Sequence, residues 1–275
     1  MKLSQRKLRF WQVSLLLTML GLWQLASLDS QLAFFLGEPT QVAGRIWSWF
    51  SPWSVAPNAL YLEGLRGNAD IYRHLWVTLL ETALAFIIGT SLGAVCGLWL
   101  ALAPMASAVL EPYIKAANAM PRVILAPIFA MWFGLGIWSK VALAITLVFF
   151  VVFFNVYQGV KEVSPVVLAN ARMLGANARQ LLRTVYWPSA TAWVFSSLHT
   201  SVGLAFVGAV VGEYLGSAKG VGYLILQAEG TFDVNTVFAG MLVLTVCALL
   251  LDGLVGRVER RLMSWQPRPG ETQSM

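Results

Sequence analysis

Glu81, His199, Glu213 and Asp252 are ionisable residues set in or at the ends of runs that are otherwise apolar. A charge in hydrocarbon costs on the order of a few kcal/mol unless it is paired or wetted, so each must face protein or water. Such residues can relay protons or line a path for a solute, and Asn118, Asn155 and Gln158 near other run ends are further candidates for a lining. A structural role is equally open. Glu81 fits a hydrogen-bonded place at the membrane interface, His199 a packing position, and Asp252 an anchor beside Arg257 and Arg260. Catalytic and metal chemistry find no support. The two histidines, His74 and His199, are far apart with no second-ligand spacing, and no phosphate-binding loop, H-E-x-x-H or G-x-S-x-G pattern occurs.

A different chemistry resides in residues 169–190, ANARMLGANARQLLRTVYWPSA, where Arg172, Arg179 and Arg183 share a short stretch. Ser164 and Pro165 make a helix start, the serine as N-cap and the proline where its missing N–H costs nothing. Beyond them Val167, Ala171, Leu174, Ala178, Leu181 and Val185 recur at three/four spacing, and Arg172, Ala176, Arg179 and Arg183 line another side. Gly175 interrupts this amphipathic helix, either as a bend or as a place for another backbone to come close, and Pro188 is expected to end it. An amphipathic basic helix lies on anionic lipid or fills a groove in a partner, and residue physics leaves the two open.

The elements that position these residues follow from composition. Of 275 residues, 58% are hydrophobic and 12% charged, more apolar surface than a soluble core uses. Apolar runs cover about 10–28, 75–102, 123–138, 141–157, 190–211 and 237–255. A crossing helix needs roughly 20 residues, so six spans fit, the third short and interrupted by Pro127. The first run follows Lys2, Arg6, Lys7 and Arg9; the alternative, a cleaved signal peptide, has a poor cleavage site in Leu25-Ala26-Ser27-Leu28. With the N-terminus inside, all but five of the 19 basic residues fall on the inner side, the exceptions being Arg45, Arg66, Arg73, Lys140 and Lys219. Both termini are therefore expected in the cytoplasm. The net charge of +6 serves orientation, and no nucleic-acid partner is implied. Cys96 and Cys247 lie in apolar runs as packing residues.

In the second run Ala85, Gly89, Gly93, Gly97 and Ala101 repeat every four residues, a small-residue stripe that admits a neighbouring helix, with Glu81 one step earlier on the same face. Gly208, Gly212 and Gly216 repeat the device in the fifth run. In the outer loop, Val42, Ile46, Trp49 and Trp53 after Pro39 predict a short interfacial helix held by its tryptophans.

Gly175, Val185 and Pro188, at offsets of ten and thirteen, resemble the cytoplasmic loop of binding-protein-dependent ABC transporter permeases, with the pattern E-A-A-x3-G-x9-I-x-L-P. Ala169-Asn170-Ala171 stands at its E-A-A, without the glutamate, and Val185-Tyr186-Trp187-Pro188 at its I-x-L-P. Met120-Pro121, APIFAMWFGLGIWSK (126–140), Asn155 with Gly159, VVGEYLGSAKGVGYLI (210–225) and LLDGLVGRVERRLMSWQ (250–266) are similar to the branch that imports nitrate, sulfonates, taurine and related small compounds. The resemblance covers about residues 72–266 and little of 29–71.

It implies an all-α permease fold of the type I importer kind, with about six spans and a coupling helix. Residues 1–28 would be a cytoplasmic tail and first span, 29–74 an outer loop, 75–256 the core with its coupling loop at 158–189, and 257–275 a cytoplasmic tail. Ala169, Asn170, Ala171, Arg172, Leu174, Gly175, Val185 and Pro188 would meet the ATPase subunit, while Glu81, Asn118, Asn155, His199 and Glu213 stay candidates for the path. The implied assembly is a permease homodimer in the lipid of a bacterial inner membrane, with an ATPase dimer and a periplasmic or lipoprotein solute-binding protein. This chain would bind no cofactor, ATP and Mg being used by the ATPase. A stand-alone carrier driven by protons through Glu81, His199 and Asp252 is the competing expectation.

Overall fold

The computed structural model describes residues 5–51 and 67–262; Lys2, Trp53, Arg66 and Arg268 lie outside them. Twelve α-helices follow one another in the described residues: α1 (Gln5–Ala26), α2 (Ser30–Leu36), α3 (Pro39–Phe50), α4 (Gly67–Leu102), α5 (Pro104–Ala119), α6 (Leu125–Phe133), α7 (Ile137–Lys161), α8 (Pro165–Met173), α9 (Ala178–Leu181), α10 (Trp187–Gly216), α11 (Val221–Gly230) and α12 (Val234–Leu262). Four stretches are long and apolar enough to cross a membrane: Ile71–Leu102, Ile137–Lys161, Ala178–Gly216 and Val234–Arg261. A fifth results if Pro104–Ala119 and Arg122–Phe133, bent by 77° at their junction, count as one broken span. Helix α1 has a spanning length of 22 residues, but Gln12, Ser14, Thr18 and Gln24 dilute its apolar character, and it falls outside that set.

The chain divides into two compact units. One joins the described residues up to Trp76 with Lys219–Val246. Here α3 begins at Pro39 and turns Val42, Ile46 and Trp49 inward while Trp47 stays exposed. Polar contacts hold it: Arg45 pairs with Asp233 at 3.0 Å, the Glu38 amide donates to Asn235 Oδ1 at 2.8 Å, and Asn235 Nδ2 donates to Gln41 at 2.8 Å. The helix expected at the interface is thus docked on its own chain.

The other unit, Val77–Ala218 with the described residues from Cys247 on, holds the candidate site. Its centre is α7, whose Val141, Ala144, Val148, Val152 and Val156 are completely buried. A Cβ built on Gly89 would lie 2.8 Å from Val148, one on Gly93 2.8 Å from the Phe149 carbonyl, and one on Gly97 2.7 Å from the Phe153 carbonyl. Each step of four along α4 matches a step of four along α7, so the two run parallel with backbones in close approach. A Cβ on Gly208 would lie 2.6 Å from the Ala144 backbone and one on Gly212 2.9 Å from the Lys140 side chain, so a step of four up α10 matches a step of four down α7 and the two are antiparallel. Parallel neighbours require a return crossing between them. The bent α5/α6 pair supplies it, through a 3-10 turn at Arg122–Ile124, where an intact helix is barred by Pro121 and Pro127. Sequence periodicity placed this crossing at 123–138; the α5 half, with Pro112 and mixed polarity, carries too weak an apolar signal to be read as part of it.

Candidate functional site

Between α7 and α10 the chain makes the segment that the ABC-permease pattern marks. Helix α8 starts at Pro165 with Ser164 as N-cap residue. It ends in a closed turn: the Gly175 amide donates to the Arg172 carbonyl at 2.9 Å and the Ala176 amide to the Ala171 carbonyl at 3.0 Å. These two bonds form the Schellman pattern, which needs a left-handed residue after the helix, and Gly175 supplies it with φ of 81°. A side chain at Gly175 would meet nothing within 4 Å, so within this chain the glycine serves the turn rather than a close approach. Next, Asn177 and Gln180 cap α9 reciprocally, the Gln180 amide donating to Asn177 Oδ1 at 2.9 Å and the Asn177 amide to Gln180 Oε1 at 2.8 Å.

The expected stop at Pro188 does not occur. Helical structure continues from Ala178 to Gly216. A π-helical turn, Leu182–Tyr186, precedes Pro188 and shifts the hydrogen-bond register, which accommodates a residue with no N–H and a bulky ring.

The apolar residues of this segment divide. Leu181 is buried, whereas Leu174 is 89% and Met173 79% exposed, with Val166 and Val167 exposed behind them. Arg172, Arg179 and Arg183 are exposed around this tip, and Ala169 and Asn170 share its open surface. Ala171 and Val185 are half-buried. An apolar point ringed by cations is the shape of a docking element, and an exposed leucine at a turn gains only by burial against something else.

At the other ends of α7 and α10 the polarity is reversed. Glu81 (1% exposed), Lys140 (1%) and Glu213 (0%) are buried together with Thr78, Thr82 and Ser139. Thr78 donates to Glu213 Oε1 at 2.6 Å, and the Glu81 carboxyl, the Glu213 carboxyl and the Lys140 ammonium lie within electrostatic reach of one another. Lys140 also donates to the carbonyls of Leu135 (2.5 Å) and Gly136 (2.8 Å), tying down the turn that leads into α7. Each charge occupies the unfavourable pole of its own helix: the ammonium in the first turns of α7, the carboxyl in the last turn of α10.

His199 occupies a third place. Its Nδ1 is 2.6 Å from Asp252 Oδ1 and its Nε2 is 2.9 Å from Glu259 Oε2, across α10 and α12. Facing an acceptor with both nitrogens, the ring satisfies both as a doubly protonated imidazolium. Asn155 donates to the Val151 carbonyl of its own helix, and Asn118 accepts from Arg122. The five path candidates therefore fall at separate places, with only Glu81 and Glu213 together. Glu213 and His199 are fourteen residues apart on one helix, roughly 21 Å. No direct relay joins Glu81 to the His199–Asp252 pair at that separation. The residues that sequence reasoning missed are Lys140, which was assigned to an outer loop, and Glu259. Lys140 precedes Ala144 and Val148 by four and eight, but only the register between α4 and α7 sets it near Glu81, and the sequence does not carry that register.

Residues 89–264 match the family model of the binding-protein-dependent transport system inner membrane component. The chain is 31% identical over 199 residues, 72% of each chain, to the putative aliphatic sulfonates transport permease of Bacillus subtilis. It is 34% identical to the formylaminopyrimidine transport permease of Halalkalibacterium halodurans, over 72% of this chain and 82% of that one. Among solved structures, an inward-facing MetNI methionine ABC transporter aligns with a TM-score of 0.61 at 17% identity, over 70% of this chain and 95% of that chain, which shows a shared fold. The chain belongs to the binding-protein-dependent inner-membrane components and is the permease subunit of an ABC importer. It is a multi-pass inner-membrane protein, not an enzyme, and its family implies an ATPase partner and a solute-binding protein.

Proposed function

We propose that the chain works as a homodimer in membrane lipid, moving a small solute by alternating access, with both termini cytoplasmic and the 165–188 segment seated on the ATPase. The single observation that supports the seating is the exposed Met173–Leu174 tip held rigid by the Schellman turn at Gly175. Ala169, Asn170, Ala171 and Arg172 would form the adjoining contact surface, and Val185 and Pro188 the joint that carries the tip's displacement into α10. ATP and Mg belong to the ATPase, whose closure would move the tip and switch access from one side of the membrane to the other. The solute class is a nitrate-, sulfonate- or taurine-like anion or a related small compound. Relatives named for sulfonates and for a formylaminopyrimidine support a class of that breadth.

Reconstitution in vesicles tests this reading. With the ATPase and binding protein present, uptake should require ATP and survive collapse of the proton gradient. Uptake by the chain alone, abolished by a protonophore, would establish the carrier mechanism instead.

A further inference from the structure

The break between α5 and α6 carries a cation that packing does not neutralise. Met120, Val123 and Ile124 around it are exposed, so the break opens on the surface of the chain. The Arg122 guanidinium lies 4.7 Å over the ring of Phe150. Along α7, Ile137–Lys161, that ring stands roughly 20 Å from the first residue and roughly 16 Å from the last. The guanidinium is therefore held near the middle of a hydrocarbon layer about 30 Å thick. The count of basic residues put Arg122 on the inner side; the broken crossing carries it to mid-span instead.

Compensation within the chain is partial. Both hydrogen bonds of Arg122 leave from Nη2, to the Asn118 carbonyl at 3.0 Å and to Asn118 Oδ1. Its Nε–H is buried and donates to nothing. Among the described residues no carboxylate pairs with it: α6 and α7 contain no acidic residue, and Glu111, the one acid of α5, is bound to Lys115 at 2.6 Å. A charge at this depth is costly unless water or a counter-ion meets it. An arginine facing lipid extends to the interface, whereas this one turns back onto Asn118 and a ring in mid-span. Lipid phosphates stay about half the hydrocarbon thickness away. Just beyond the break α6 begins, with the positive pole of its dipole at that end. We propose that Arg122, oriented by Asn118 and Phe150, is the anion-binding residue of the transport path, where the sulfonate or other oxyanion group of the solute rests half-way across. This inference rests on the anionic solute class proposed above.

Uptake of radiolabelled taurine, methanesulfonate and nitrate, each as a separate probe, tests this in vesicles holding the permease, its ATPase and the binding protein. For a probe that the native chain carries, Arg122→Met should lower kcat/KM by about 10- to 100-fold, the worth of a lost charge-assisted hydrogen bond. Arg122→Lys keeps the point charge and should lose no more than about tenfold. The methionine variant should melt no lower than the native chain, because it removes an unpaired cation, whereas a purely structural arginine would leave it less stable. A second measurement uses Arg122→Cys in a chain with Cys96→Ser and Cys247→Ser. The introduced thiol should react with the anionic reagent 2-sulfonatoethyl methanethiosulfonate in the ATP-free or the ATP-bound state. No reaction in either state, or native uptake of a carried probe by Arg122→Met, would overturn the inference alone. A native chain that carries none of the three probes would overturn the anionic solute class and this inference with it.

Discussion

The two ends of the α7/α10 pair invert each other. At one end Glu81, Lys140 and Glu213 are buried among glycines and threonines; at the other Met173 and Leu174 project into open space. A soluble domain would do neither, since it places charge outside and leucine inside. The closed end buries its polar groups beside one another, with Thr78 bonded to Glu213 and Lys140 to the Leu135 and Gly136 carbonyls. The open end leaves apolar surface uncovered on a rigid turn, and only a partner removes it from water. On the proposed reading, packing makes the first end and docking is reserved for the second.

Substitutions should separate the two ends by what they damage. The largest effect is expected from Gly93→Leu, which drives a side chain into the Phe149 carbonyl and Val152. Overpacking of this kind costs about 1–3 kcal/mol or more, and melting should fall by several degrees while α4 parts from α7. Gly175→Val comes next. A β-branched residue at φ of 81° strains the turn by about 1–2 kcal/mol without meeting any atom. The global melting point should move little, while proteolytic nicking near residue 175 rises and coupled uptake falls. Asn177→Ala removes one half of the capping box, at about 1 kcal/mol of local helix stability. Hydrogen exchange of the amides at 178–181 should quicken, with no change at α4.

Much of the closed end was legible in the sequence. The four-residue stripe from Ala85 to Gly97 reports a face that another backbone approaches, and Glu81 lies one step before it. Its cation was not legible, because Lys140 stands at the start of an apolar run, where composition reads as loop. Register between two helices, which pattern within one helix does not carry, brings it inside. At the open end Ser164, Pro165 and Gly175 mark the helix start and its left-handed turn directly. The passage through Pro188 was hidden, since a π-turn five residues long has no compositional signature and a proline ordinarily reads as a stop. The broken crossing at α5/α6 was half visible for a similar reason: Pro127 announces the break, but Glu111, Lys115 and Asn118 disguise the helix before it.

Leu174→Asp tests the central claim most directly, because Leu174 is exposed and contributes nothing to the chain's own packing. Co-purification with the ATPase in detergent, alongside the melting temperature of the permease, is the measurement. The account predicts loss of the ATPase from the complex with the melting temperature unchanged. Full retention of the ATPase, with solute-stimulated ATP hydrolysis at the native rate, would contradict it.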